Sequence, residues 1–191
     1  TANWQQRQAD VIFAAGQDLV MNHPLDIAVD NENDRVYVAE EFNNRISIFN
    51  REGQFLSALQ GGTENFPEGF NRPNGVSVAP DTNLYVADTW NFRIREFSPD
   101  GVPGVSWGTP GQFGAEAPVE PVDGFWGPRD VEVDGEGRVY VSDTGNKRVR
   151  VYDADGNYLM DIGSAGSELG NLDEPSGLAI DSANGLLYVA D

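Results

Sequence analysis

The sequence predicts an all-β protein, an array of four-stranded antiparallel units laid side by side, and three observations carry that expectation. One pattern starts anew at Pro24, Pro73, Pro128 and Pro175, spaced as tandem copies of a single supersecondary unit are. Within each copy, apolar residues alternate with others at the period of a strand. No stretch of helical length keeps a 3.6-residue apolar period, so helix content is expected to be near zero.

Each copy opens on a strand whose third and fifth residues after the proline are apolar: Ile27 and Val29, Val76 and Val78, Val131 and Val133, Leu178 and Ile180. A turn rich in Asp, Asn and Gly leads to a second strand, Val36–Ala39, Leu84–Ala87, Val139–Ser142 and Leu187–Ala190, with tyrosine in second place every time. An acid then opens the constellation acid-x-x-Asn-x-Arg: Glu40, Asn43 and Arg45; Asp88, Asn91 and Arg93; Asp143, Asn146 and Arg148. A third strand runs on from each arginine, and Gly53, Gly101 and Gly156 mark the turn after it. A fourth strand is clear at Phe55–Leu59 and Tyr158–Ile162 and weak near Val105, and Val11–Ala15 resembles a lone fourth strand. Such units cannot close a core singly; stacked radially, they bury both sheet faces and shield their edges. The fold class is therefore a β-propeller, one array over residues 1–191. Asp191 is the acid of a further constellation, so the last copy is read as truncated and the chain as part of a longer protein. A four-bladed closure that uses the N-terminal strand is the alternative.

Composition narrows the partners. With 39% hydrophobic residues and 22 glycines the chain suits an ordered, turn-rich protein. A net charge of -19 repels phosphate backbones and anionic lipids, which sets nucleic acid aside. No apolar run approaches the roughly 20 residues of a membrane span, so no membrane insertion is expected. Absence of cysteine excludes disulfides and thiolate metal sites. Thr1-Ala2-Asn3-Trp4 lacks the basic and apolar segments of a secretion signal, which fits a processed or a trimmed start. Lys147 is the sole lysine of an acidic surface, a bias that suits an extracellular or periplasmic protein.

Taken together, Pro-x-Gly-(apolar)-x-(apolar)-Asp, Tyr-Val-Ala-Asp and Asn-x-Arg-(apolar) resemble the NHL repeat from Pro24 to the last residue, although Leu25-Asp26 and Arg129-Asp130 replace the x-Gly pair in two copies. The resemblance implies a six-bladed propeller, of which this chain carries a part.

A residue present in every copy serves what every copy needs, which is folding. The acid/Asn/Arg sets therefore read as structural, the acid and Asn satisfying turn amides and the planar Arg fork bridging segments. Met21, Phe70, Phe125 and Leu172, three residues before each proline, read as packing staples. Function is expected where copies differ. After the prolines come Leu25, Asn74, Arg129 and Ser176, then Asp26, Gly75, Asp130 and Gly177. The resemblance implies a ligand-binding channel mouth there, which makes Asp26, Asn74, Arg129 and Asp130 candidate binding residues; relaxed selection explains the diversity equally well. Trp107, Phe113 and Trp126, with Phe125, lie in the longest connection, either as an aromatic contact surface or as a loop burying its own aromatics. Phe66 and Phe70, in the segment from Gly61 to Arg72, pose the same choice. Glu132 stands where the other copies have Ala28, Ser77 and Ala179, and an ion pair is the expected compensation for its burial.

Two related propeller families add chemical expectations. Pro73-Asn74-Gly75 is similar to the Asn-ligand motif of gluconolactonase-like enzymes, which implies a divalent cation, calcium, held by hard oxygens. Peptide-amidating lyases hold zinc with several histidines, and this sequence offers His23 alone. Neither a cysteine nor a Gly-x-Ser-x-Gly elbow supports nucleophilic catalysis. RNA binding, known for some eukaryotic NHL propellers, needs a basic face. The expectation is a non-catalytic module without a cofactor that binds a protein, peptide or glycan, alone or within a larger assembly. A metal-dependent hydrolase or lyase is the alternative.

Overall fold

A strand such as Leu84-Tyr85-Val86-Ala87 has no polar face, and it folds stably only where both sides of its sheet are covered. The computed structural model, which describes residues 20–61, 66–111 and 124–191, shows how the cover is supplied. The first sheet consists of β1 (Pro24–Asp30), β2 (Arg35–Glu40), β3 (Arg45–Phe49) and β4 (Phe55–Leu59), paired antiparallel in chain order. The second is β5 (Pro73–Val78), β6 (Leu84–Asp88), β7 (Arg93–Phe97) and β8 (Pro103–Trp107). A short parallel pair, β9 (Thr109–Pro110) with β10 (Gly124–Phe125), leads to the third sheet. That sheet holds β11 (Pro128–Val133), β12 (Val139–Asp143), β13 (Arg148–Tyr152) and β14 (Tyr158–Ile162), and β15 (Gly177–Asp181) with β16 (Leu186–Ala190) forms a two-stranded fourth.

These sheets are the blades of a propeller. Successive first strands pack on one another, β1 on β5, β5 on β11 and β11 on β15, so they make the inner wall. The core lies between blades. Tyr37, Ala39, Ile46 and Ile48 of the first blade pack against Val76, Leu84, Val86 and Phe97 of the second. Tyr85, Ala87 and Ile94, from the opposite face of that second blade, pack against Val131, Val139, Val141 and Tyr152 of the third. Alternation along β6 thus sends Leu84 and Val86 one way and Tyr85 and Ala87 the other, and all four are buried. Tyr37 and Tyr85 are each 1% exposed beneath the next blade, whereas Tyr188, at the same place in β16, is 56% exposed.

Several expectations meet their physical outcome here. The weak strand near Val105 is real: β8 pairs with β7 through Ile94↔Trp107 and Phe97↔Pro103, with a register shift between Arg95 and Phe97 that breaks the alternation a sequence reading needs. Phe70 and Phe125 are buried staples, but Met21 is 42% exposed. Phe66 joins Phe70 and Phe97 in edge-on and tilted contacts between the first two blades. Val11–Ala15 and Phe113 lie outside the described residues. Short 3-10 turns at Thr89–Asn91 and Thr144–Asn146 are the only helical elements among the described residues.

Gly75 marks a tight inter-blade approach: a Cβ there would stand 2.6 Å from the Asp130 Cα. At Gly177, the corresponding place in the last blade, the nearest atom is the Ala190 Cβ at 3.6 Å. Gly75→Ala is therefore expected to cost about 1–3 kcal/mol through overpacking, and Gly177→Ala to be near neutral. Urea denaturation of both variants checks this, and equal losses would contradict the packing described.

Candidate functional site

The buried acids and their partners build the turn between the second and third strands. Asp88 accepts the Asn91 amide at 2.9 Å and the Arg93 Nε at 2.8 Å. Asp143 accepts the same groups from Asn146 and Arg148, at 2.9 Å and 2.8 Å. Glu40 accepts Asn43 at 2.5 Å and Arg45 Nε at 2.9 Å, and Ser47 donates to it as well. Each acid also holds the incoming chain, taking the backbone N–H of Asn22, Asn71 or Trp126 just before the proline. The arginine fork continues to a carbonyl of that same segment, Gly69 at 3.0 Å from Arg93 and Gly124 at 3.1 Å from Arg148. These residues are committed to one another, which leaves their variable neighbours to face outward.

Those neighbours meet at the blade junctions. The residue before each arginine takes a left-handed conformation, with φ of 50° at Asn44, 56° at Phe92 and 58° at Lys147, and it reaches the next blade by a different chemistry each time. Asn44 accepts the Arg72 N–H at 2.8 Å. Phe92 stacks on Trp126 at 5.3 Å and 25°. Lys147 pairs with Asp173. Threonines stitch two junctions below them, Thr89 to the Pro128 carbonyl at 2.8 Å and Thr144 to that of Pro175 at 2.6 Å. In the first blade Glu41 replaces threonine and pairs with His23 at 2.6 Å and Arg72 at 3.6 Å. A bulky residue at positive φ, such as Phe92, is strained, and strain of this kind gathers where a site is held ready.

Together these groups enclose a cleft of about 630 Å³ at the rim, whose walls include Asn74, Arg129, Trp90 and Trp126. It shares Leu25, Asn74 and Arg129 with a neighbouring hollow of about 290 Å³ that reaches Asp26 and Asp130. Both volumes border the range of small-molecule sites or fall within it. Arg129 is paired with Glu174 at 3.1 Å. Asp26 and Asp130 spend their carboxylates on the inner wall. Asp26 accepts the N–H groups of Ile27 and, across the junction, Val76, both at 2.8 Å. Asp130 accepts those of Val131 at 2.8 Å and Leu178 at 2.6 Å.

The structure brings Asn74, Arg129 and Trp126 to one cleft, with Asp26 and Asp130 in the hollow beside it, and keeps Trp107 apart. Trp107 ends β8 and packs 6.1 Å from Tyr85 and 5.5 Å from Tyr152, between the second and third blades. Glu132 is a correction: in place of an ion pair it accepts the Ser77 hydroxyl at 2.9 Å, and burial raises its pKa. Sequence reading passed over Trp90, Phe92 and Arg72. Their signal was the variable place inside the acid-x-x-Asn-x-Arg turn and the residue before each proline. Asn74 shares the post-proline places with Leu25, Ser176 and a cationic Arg129, a mixed set, whereas hard divalent cations prefer all-oxygen ligands. Among the described residues no group of three or more His, Asp or Glu side chains is placed to hold a metal.

The NHL repeat family model matches residues 21–49, 70–97 and 125–152, in each case from the pre-proline segment to the end of the third strand. This chain carries three NHL repeats. It is 27% identical to the protein SUPPRESSOR OF QUENCHING 1, chloroplastic, of Arabidopsis thaliana, over 92% of this chain and 19% of that protein. NHL repeat-containing protein 2 of Gallus gallus is 30% identical over 44% of this chain and 13% of its own length. The chain thus spans less than a fifth of the curated relatives it matches. Among solved structures, an inactive H270A virginiamycin B lyase of Staphylococcus aureus with Quinupristin superposes with a TM-score of 0.60 at 14% identity, covering 87% of this chain and 48% of that one. A Bacteroides thetaiotaomicron protein of unknown function gives 0.61 at 17% identity, with 88% and 44% covered. At such identities the likeness is one of fold.

The inner-wall acids give the NHL array a pH dependence. Loss of hydration pushes the Asp130 carboxyl up to about 7, against the Leu178 N–H, and the negative Asp26 and Glu132 add to the rise. Burial raises Asp26 and Glu132 too. A carboxyl with a raised folded pKa binds more protons in the native state, so its contribution to stability falls as pH climbs from the unfolded value, about 4, through the folded one. Glu68 and Asp134 are shifted down and act below that window. Stability in urea is expected to be greater at pH 5 than at pH 8, with Asp130 contributing a slope of up to about 1.4 kcal/mol per pH unit. Asp130→Asn should remove that slope, and a flat wild-type profile would contradict the assignment.

Proposed function

We propose that this NHL chain is a non-catalytic binding module that receives its ligand in the rim cleft between blades. One observation carries the reading: the same junction, built each time by a buried acid/Asn/Arg set, presents different side chains in each blade. The residue before the proline is His23, Arg72, Gly127 or Glu174, and the residue after it is Leu25, Asn74, Arg129 or Ser176. A fixed frame with variable lining is how a repeat scaffold acquires specificity without altering its fold. A lyase of this fold was solved with the ligand Quinupristin, which illustrates that the architecture accommodates small molecules.

Variants of the cleft test the proposal. Trp90 is 49% exposed and Arg129 lies on the surface, so replacing them should leave the fold intact. Binders selected by the wild-type protein from a glycan array and a random-peptide library are expected to lose at least about tenfold in affinity with Trp90→Ala or Arg129→Ala, a loss of about 1.4 kcal/mol. Melting temperatures should stay within a few degrees of wild type. Binders indifferent to both substitutions would place the interaction on the outer strands and overturn the reading.

A further inference from the structure

The rim carries an aromatic face in each of the first three blades. Two residues beyond the buried acid stand Phe42 in the first blade and Trp90 in the second, exposed by 51% and 49%. The third blade has Gly145 there, and the ring is supplied by Trp126 from the preceding connection: a Cβ on Gly145 would lie 2.2 Å from the Trp126 Cδ1. The aromatic is thus kept although its position in the chain has changed. Each ring is also oriented by a neighbour. Phe42 stacks on His23 at 4.7 Å and 11°, Trp90 meets Phe92 edge-on at 6.4 Å, and Trp126 lies on Phe92. Rings held in this way lose little freedom when they bind.

Polar groups between the rings are set in ion pairs: Arg72 with Glu41, Arg129 with Glu174 and Lys147 with Asp173. Among the described residues of the rim these three cations balance three carboxylates, which sets the place apart on a chain of net charge -19. Exposed pairs of this kind contribute little to stability, and they hold donors and acceptors in place for a third group. Among the described residues that line the cleft Leu25 is the one aliphatic side chain, so they offer little of the apolar socket that anchors a peptide side chain.

Resting on the reading that the rim cleft is the ligand site, we propose that its ligand is a neutral oligosaccharide. Sugar rings present flat C–H faces that pack on aromatic side chains, which join apolar area to a polar edge. Hydroxyls can both donate and accept, so they match guanidinium, ammonium and carboxylate groups alternating along the rim, directly or through ordered water. A polyanion would be repelled by the rest of the surface, and a cation would find acids everywhere without preference for this cleft.

The test is a tryptophan-fluorescence titration of the wild-type chain with maltopentaose, cellopentaose and chitopentaose, and with an acidic oligogalacturonate of the same length. Saturable binding of at least one neutral probe is expected, with a change of less than about twofold between low and high salt, as an uncharged ligand requires. Trp90→Ala should weaken it at least tenfold, and Trp90→Phe should recover part of the loss, which a merely structural role would not produce. Neutral binding that survives Trp90→Ala and Arg129→Ala overturns the rim as the site. If no neutral sugar binds while selected peptides bind and depend on Trp90, the glycan proposal is overturned and the rim reading stands. Binding of the acidic sugar alone, or of no probe, also overturns the glycan proposal.

Discussion

A carboxylate removed from water at the end of the second strand in each of the first three blades organises this protein. Glu40, Asp88 and Asp143 are fully buried, and burial at such a place is tolerable only because each accepts several hydrogen bonds and faces an arginine. Those bonds tie three pieces of chain that are distant along a blade: the second strand, the turn into the third, and the segment that delivers the chain from the blade before. Short four-stranded sheets have little core of their own. The acid fixes the angle at which each sheet leaves the last, and the apolar faces between blades, such as Tyr37 with Val86 and Tyr85 with Val141, can then meet.

From that constraint follows a division of labour. Positions that serve the acid keep one identity, and positions beside them are free to change. At the same left-handed residue the chain places an amide, an aromatic ring and an ammonium in successive blades, and each closes its junction in its own way. The inner wall shows a related economy. Asp26 and Asp130 reach across to the following blade where those blades have glycine at the matching place, and Gly75 gives Asp130 the room it occupies. The cost is a group of carboxylates poor in water, which ties the stability of the array to pH.

The fold was legible because it repeats. Alternation at residues 84–87 and the tyrosine in every second strand identify blades without any knowledge of contacts, and Asn-x-Arg after an acid marks the turn. The rim was legible only in part. Asn74 and Arg129 stand out by their place after proline, but Trp90 and Phe92 sit inside a turn whose fixed residues draw attention from the variable ones. Trp107 misleads for the opposite reason: a long, glycine-rich connection suggests a surface, while the ring ends β8 and packs against Tyr85 and Tyr152 between the second and third blades. Glu132 illustrates a limit of charge reasoning, since a hydroxyl on the neighbouring blade and a raised pKa stand in for the missing cation.

Amide hydrogen exchange at Asn71 and Trp126 tests the central claim most directly. Both N–H groups lie in connections between blades, where exchange is ordinarily fast, yet they bond to the buried carboxylates of Asp88 at 2.8 Å and Asp143 at 2.7 Å. If those acids hold the blades together, the two amides exchange only with global unfolding, as slowly as the amides of β6 and β12. Exchange through local opening, while these strands remain protected, would contradict the account.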